Sequence, residues 1–481
     1  MSAFTQARKR LDLQPMKLFQ FGDFWKSRLA PDSADRIERT IEDRSRRLIA
    51  GIAVDPNFET VSGSLVVARG RGKFCRVLFH DHASAEIPAA LRETCLRLTQ
   101  NAAPSCDELK SCGMELADLH CVVVDRLKQK AARYVDRILA VSITDPGIWT
   151  KDFDSKLLYQ SLSDPTRVAE KTGITVIDAF PARDMEVGGN GKPLDLLPWW
   201  LLLADRSFPV SSFVNARIRV AEKTSIVLFA PSDGLDATVP DIIRFETRGM
   251  NFVDALARIA FQTTPKPEQL RNLLISSVHS KALLKAWHQA AEHECSGEAM
   301  FAVAKQAIEK NLDTEQLFST FSRWIVETCE RSIQSGLAEL KRNFDLEKRK
   351  AEANRKGKAV ARFQHPPKFD RVGMAFLDAN SPFRDVLSSM LRNQSGIEVK
   401  TQLELAESPS TENYDNHDSL VAALLGLLHV DQIPANVPMQ TGAHQQRILG
   451  RLTPGRPHQW RQLLREMSDF QPPALKLRDA V

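Results

Sequence analysis

The order of hydrophobic patterns along this 481-residue chain predicts an α/β protein. Short runs rich in β-branched residues alternate with stretches in which apolar residues recur every three or four positions, as strands joined by helices do. The composition agrees with a globular chain. Hydrophobic residues make up 43%, enough for a large core, and 22 Gly with 25 Pro beside 26% charged residues exclude fibrous, collagen-like or wholly disordered classes. No stretch reaches the roughly 18 consecutive apolar residues of a membrane span, and the start MSAFTQARKRLDLQ lacks the apolar centre of a secretory signal. A cytoplasmic protein with no membrane partner is the expectation.

Taken in order, residues 1–47 read as a charged N-terminal arm, because DSADRIERTIEDRSRR mixes both charge signs at helical spacing. The body opens with RRLIAGIAVD, an apolar run ending at a turn, and then VSGSLVVARGRGKFCRVLFH, which alternates like a hairpin around Gly70 and Gly72. Further strands are expected at 121–125, 137–143, 174–180, 224–230 and 371–377. The clearest helix covers 312–336, where Leu317, Phe321, Trp324, Ile325, Cys329 and Ile333 form one stripe that core packing explains without a cofactor. A second helix, 419–430, is apolar nearly all round and belongs between layers; Pro434, Pro438 and Gly442 follow it. No repeat of solenoid period is present.

The seven cysteines are odd in number and contain no C-x-x-C pair, so they read as reduced thiols rather than a disulfide framework or zinc site. His80-Asp81-His82 lacks a third ligand at a recognisable spacing and reads as surface, so no metal ligands are assigned. Between Lys341 and Lys368 stand ten Lys/Arg and three Asp/Glu, a surplus of seven that exceeds the whole chain's +5 and leaves the remainder mildly acidic. Such a segment can meet an anionic partner, although no stacking aromatics interleave its charges; the alternative is a solvated helix extension and loop that adds no core.

Three segments together carry a family resemblance. VAEKTGITVIDAFPARDMEVGGNGKPLDLLP (168–198), FETRGMN (245–251) and IPANVPMQTGAHQQRILGRLTPG (433–455) resemble, in order and spacing, motifs of the anhydro-N-acetylmuramic acid kinase family. That resemblance implies a two-lobed actin-like ATPase (ribonuclease H-like) fold, each lobe on a mixed five-stranded sheet, with a central cleft. It divides the chain into a first lobe at 48–190 joined by 415–455, a second at 191–414 carrying the basic insertion 341–368, and a C-terminal tail at 456–481. The activity implied is opening of the 1,6-anhydro ring of an amino sugar, with phosphorylation at O6 from ATP and Mg²⁺, in peptidoglycan recycling. Asp184 falls at the family's catalytic base, with a turn-capping role as the alternative reading of the residues. Arg183, Gly188, Gly189, Asn190 and Gly191 fall at substrate positions, and Glu59, Glu246, Thr247, Asn251 and Asn380 on the nucleotide side.

The chain departs from the family at its phosphate loops. Ala53-Val54-Asp55-Pro56-Asn57-Phe58-Glu59-Thr60-Val61-Ser62 stands where glycine-bearing M-S-G-T-S-x-D-G-x-D is expected, and Ala216-Arg217-Ile218-Arg219-Val220-Ala221-Glu222 where N-I-G-G-I-A-N is expected. Proline removes an N–H, and a carboxylate repels phosphate. Arg248 and Met250 replace glycines beside Thr247, and no histidine fills the H-G-Q-T element expected near 141–147. Two functions follow from these residues: a sugar kinase with altered loops, or an inactive homologue that keeps the fold for binding or scaffolding.

Overall fold

The computed structural model describes residues 46–72, 75–100, 104–130, 138–151, 157–205, 213–221, 223–231, 241–261, 266–276, 278–291, 296–353, 367–379, 383–401 and 417–468. The expected arm, apart from its last two residues, lies outside them. The chain runs β1 (Arg47–Val54), β2 (Thr60–Arg69), β3 (Arg76–Glu86), α1 (Ala89–Thr99), α2 (Cys106–Lys130), β4 (Ile138–Thr144), β5 (Ile148–Lys151), β6 (Leu157–Gln160), α3 (Pro165–Thr172), β7 (Val176–Asp178), α4 (Phe180–Met185) and α5 (Leu196–Leu203). It continues through β8 (Phe213–Val220), β9 (Lys223–Phe229), β10 (Ile242–Arg248), α6 (Met250–Phe261), α7 (Pro267–Ile275), α8 (Lys281–Ala291), α9 (Ser296–Glu309) and α10 (Thr314–Ala353). Last come β11 (Lys368–Ala379), α11 (Phe383–Ser395), β12 (Glu398–Lys400), α12 (Asp418–Val430), α13 (Pro438–Thr441), β13 (Arg451–Thr453) and α14 (Pro457–Ser468).

The α/β class is observed, and it is built on two mixed sheets that repeat one topology. The first has the order β13-β7-β4-β1-β2-β3 and the second β10-β9-β8-β11-β12. In each, the opening strand has its parallel partner on one side (β4 beside β1, β11 beside β8), and that partner carries a further parallel strand, β7 or β12. On the other side stands an antiparallel pair, β2 with β3 or β9 with β10. The second sheet has the five strands expected; the first has six, because β13 joins it antiparallel to β7.

Burial explains where the sequence patterns held and where they misled. All eight residues of β1 are buried, and so is the interior of β2, because layers cover both faces and remove the alternation of a half-exposed hairpin. The strand expected at 121–125 is instead part of α2. Cys112, Leu116, His120, Val123 and Leu127 are all buried at steps of three or four, so the valine triplet sits within a helical stripe that a short window reads as β. The six stripe residues of the expected helix 312–336 are buried within the second sheet's core, and the helix continues to Ala353. Of the basic segment, Lys341, Arg342, Arg349 and Lys350 are exposed on that helix's last turns, while 354–366 lies outside the described residues. The expected tail at 456–481 contains α14, whose Leu463 is fully buried against the core shared by the two sheets.

That shared core joins Ile49 and Val66 of the first sheet to Val227, Phe229 and Phe376 of the second through Trp199, Trp200 and the apolar helix α12. Residues 419–430 are buried throughout, as expected from their composition. The helix lies so close to β1 that a Cβ on Gly51 would stand 2.0 Å from the Ser419 carbonyl oxygen and 2.3 Å from the Ala423 nitrogen. Ser142 Oγ donates to the Ala422 carbonyl at 2.6 Å, and Ser64 Oγ meets Ser419 Oγ at 2.7 Å, which satisfies the hydroxyls buried at this contact. No helix among the described residues is long and apolar enough to cross a membrane. Because the clashing atoms at Gly51 are backbone, Gly51→Ala is expected to lower the unfolding free energy by about 3 kcal/mol in urea denaturation; a loss within experimental error would show that α12 does not pack this tightly.

Candidate functional site around Asp184

Strand β7 ends at Asp178, Ala179 takes a left-handed φ of 54°, and the chain enters the short helix α4 with Pro181 in its first turn. This places Asp184 near the helix end with its carboxylate fully buried. A buried carboxylate is stable only when its oxygens are hydrogen-bonded. Asn436 Nδ2 and Thr441 Oγ1 donate to Oδ1 at 2.8 and 3.0 Å, and the Gly191 N–H donates to Oδ2 at 2.9 Å. Gly189 N–H and Val187 N–H also donate to the Asp184 carbonyl, both at 3.1 Å, so the residue organises its own loop.

The glycine loop fits around the carboxylate because it carries no Cβ where one would collide. A methyl on Gly189 would lie 2.0 Å from Asp184 Oδ2, and Gly191 adopts φ 70°. Asn190 N–H donates to the Thr441 carbonyl, and His444 N–H to the Val187 carbonyl, each at 2.8 Å, so α13 and the residues after it are sewn to the loop. Asn436 is itself fixed: its Oδ1 accepts from Arg447 N–H at 2.6 Å, and its Nδ2 also reaches the Gln445 carbonyl at 3.0 Å. The sequence reading assigned no role to Asn436 or Thr441, although both lie in the quoted segment 433–455. Their signal is chemical, since a buried aspartate requires donors and that segment supplies them. Arg183 points to the exposed side of α4, and Gly188 and Asn190 are exposed on the loop.

The nucleotide-side residues are placed differently. Glu59 is exposed in the β1–β2 turn and pairs with Arg92 at 2.8 Å. Glu246 lies on β10, paired with Arg244 and, at 3.6 Å, with Lys223. Thr247 follows it opposite Thr224, and Asn251 is exposed in the first turn of α6. Asn380 lies outside the described residues. Glu59 thus stands at the first sheet and Glu246 and Thr247 on the second, each engaged with its own neighbours.

The β1–β2 turn is unsuited to a phosphate. Asp55 N–H donates to the Thr60 carbonyl and Phe58 N–H to the Asp55 carbonyl, at 3.0 and 2.9 Å. Asp55 Oδ1 accepts from Asn57 N–H at 2.8 Å, and Pro56 has no N–H. Residues 55–58 therefore have no amide left to offer, and an anion would face the Asp55 carboxylate. Phe58, buried with φ 54°, anchors the turn to the core. On β8, Arg217 is buried with its guanidinium 3.9 Å from the Trp199 ring, and it donates to Asp195 and Asp378 at 2.6 Å each. Burial pushes the Asp378 carboxyl up, but Arg217, His417 and Arg219 outweigh it and hold the group well below the usual carboxylate range. Arg217 is thus neutralised by the protein's own carboxylates. At Arg248-Gly249-Met250, no residue takes a positive φ and α6 starts directly at Met250, which is the local change expected once the glycines are replaced. As they stand, residues 55–58 and Arg217 leave no free amide and no free terminal guanidinium nitrogen for an ATP phosphate.

Residues 64–208 match the family model described as anhydro-N-acetylmuramic acid kinase, a span that includes the Asp184 loop. Over this stretch the chain is similar to the anhydro-N-acetylmuramic acid kinases. A curated protein of that name from Idiomarina loihiensis is 32% identical over 113 residues, covering 24% of this chain and 31% of that protein. Another, from Salinibacter ruber, is 25% identical over 235 residues, covering 47% and 56%. The chain thus spans about a third of the first relative and a little over half of the second. Among solved structures, component A of (R)-2-hydroxyglutaryl-CoA dehydratase from Acidaminococcus fermentans aligns at TM-score 0.35 and 10% identity over 78% of this chain and 96% of that one, too slight a likeness to add to the topology above.

The hydrogen bonds around Asp184 make a direct prediction. Asp184→Asn places an amide N–H₂ against donors that now meet a carboxylate, and is expected to cost about 2–3 kcal/mol in urea denaturation. Arg183→Ala, exposed one residue away, is expected to stay within about 0.5 kcal/mol of the parent. Equal effects of the two would refute the buried, three-donor carboxylate.

Proposed function

We propose that the chain is an anhydro-N-acetylmuramic acid kinase-type protein that keeps the sugar side of the site around Asp184 and binds an amino sugar there, while transferring phosphate from Mg-ATP weakly or not at all. The observation that carries this reading is the contrast between two turns of one sheet. At Asp184, a glycine loop is held open in backbone by a satisfied carboxylate, which lets a ligand approach the main chain closely. At 55–58, every amide is either used internally or absent. Backbone N–H cradles for phosphate have no side-chain substitute of equal reach.

In this reading the chain is organised as two lobes, 48–190 with 415–455 and 191–414, facing each other across a cleft, and it acts in the cytoplasm on sugars of peptidoglycan recycling. Gly188, Gly189, Asn190 and Gly191 present the loop to the sugar, and Asp184 acts through the loop rather than by abstracting a proton, since its carboxylate has no exposed surface. Glu59, Glu246, Thr247 and Asn251 then hold no Mg-ATP. A second reading, a working kinase with Asp184 as base, is favoured by one observation: Oδ2 has a single donor and retains a lone pair. That reading requires the loop to open.

Thermal denaturation separates the two. A ligand at 100 times its Kd raises stability by about 2.7 kcal/mol. Millimolar Mg-ATP is expected to leave the melting temperature unchanged, whereas millimolar N-acetylmuramic acid or its 1,6-anhydro form raises it. A clear Mg-ATP shift with ADP release in the presence of the anhydro sugar would establish the kinase reading instead.

A further inference from the structure

We infer that Cys95 and Cys112 form an oxidation site: two buried thiols on adjacent helices that hydrogen peroxide converts to a disulfide pinning α1 to α2. Their sulfur atoms stand 3.3 Å apart, so a bond of about 2.05 Å needs an approach of only about 1.2 Å. Both side chains are buried in the first sheet's core with Leu91, Leu98 and Leu116. The two helices are closely joined, since α1 ends at Thr99, α2 starts at Cys106, and Arg97 reaches across to Glu108 at 2.7 Å. Of the two, α2 is the fixed one. Gly113, next to Cys112, packs so tightly that a Cβ there would stand 2.8 Å from the Leu162 carbonyl oxygen.

The partner that moves is α1. It buries three residues, Leu91, Cys95 and Leu98, and no side chain caps its start at Pro88. A helix so lightly held opens locally at small cost, which admits an oxidant scarcely larger than water. The paired thiols also differ from an ordinary buried one. Burial pushes the Cys329 thiol in the second sheet's core up to about 12, which keeps it protonated. At Cys112 the hydrogen bond from Cys95 outweighs burial and lowers the thiol, while the same bond and burial push Cys95 up. The nucleophilic thiolate therefore forms at Cys112, with the Cys95 S–H beside it. That thiolate attacks one peroxide oxygen; the O–O bond breaks, and the departing hydroxide takes the proton Cys112 has released and leaves as water. Cys95 sulfur then attacks the resulting sulfenic acid, the S–S bond forms, the S–O bond breaks, and a second water leaves with the Cys95 proton. Two thiols lose two electrons, and peroxide gains them.

The test is hydrogen peroxide treatment of the reduced full-length protein at pH 7, followed by alkylation, trypsin digestion without reductant and mass spectrometry. The expected product links peptide 93–97, which holds Cys95, to peptide 111–126, with fragmentation assigning the bond to Cys112 rather than to Cys121. Dithiothreitol should restore both thiols, and Cys329 should be found unoxidised throughout. Amide hydrogen exchange across 89–99 is expected to slow about tenfold or more in the oxidised protein. Cys95→Ala should abolish the link and leave a sulfenic acid on Cys112 that dimedone traps. Oxidation confined to the exposed Cys106, a link made through Cys121, or a parent protein in which Cys95 and Cys112 remain reduced would overturn the assignment.

Discussion

A carboxylate with no solvent exposure must be surrounded by donors, and most of the local structure follows from meeting that requirement at Asp184. One donor comes from the loop that Asp184 itself precedes, through Gly191, and two come from a segment about 250 residues later, through Asn436 and Thr441. Distant parts of the chain are thereby fixed against each other. Removing one partner of such an arrangement costs far more than the average hydrogen bond is worth, because the remaining groups stay buried and unsatisfied. Gly189 has to be a glycine for the same reason: the space a Cβ would take is occupied by the carboxylate oxygen.

Elsewhere on the frame, charge is used to close rather than to open. Arg217 lies between Asp195 and Asp378 and over Trp199, linking the strand β8 to the end of β11 and the start of α5. At the β1–β2 turn, Asp55 folds its side chain onto Asn57 N–H, and Phe58 pins the turn from beneath. Both features occupy positions where the family resemblance leads one to expect glycine-built anion sites. At the turn every amide is used or absent, and Arg217 gives both its terminal nitrogens to the protein's own carboxylates. The two sheets repeat one strand order, and among the described residues the glycine loop beside a buried acid stands at the first.

Much of this was legible in the chain itself. The α/β class, β1, the strands at 138–144, 223–229 and 368–379, and the long helix from 314 follow from periodicity, because burial on a helix stripe or within a covered sheet leaves a strong local pattern. The valine triplet at 122–124 failed for a physical reason: intrinsic β preference is weak against a 25-residue helix whose buried face runs through it. Asp184 and the loop 188–191 were singled out by the family resemblance, and the bond between them is local because they are near in sequence. Asn436 and Thr441 were not, since their role is defined by a contact across 250 positions. The fate of Glu59 and Glu246 was hidden for a similar reason: their ion pairs with Arg92 and with Arg244 and Lys223 depend on which strands become neighbours.

In the proposed function this frame holds a sugar at the Asp184 loop and excludes a nucleotide at the β1–β2 turn. A crystal grown with both N-acetylmuramic acid and a non-hydrolysable Mg-ATP analogue at millimolar concentration addresses both halves at once. The account predicts ordered sugar density against Gly188–Gly191, with Asp184 still bonded to Asn436, Thr441 and Gly191, and a turn at 55–58 unchanged and bare. Phosphate density in contact with the amides of 55–58, with the Asp55 carboxylate displaced, would contradict it.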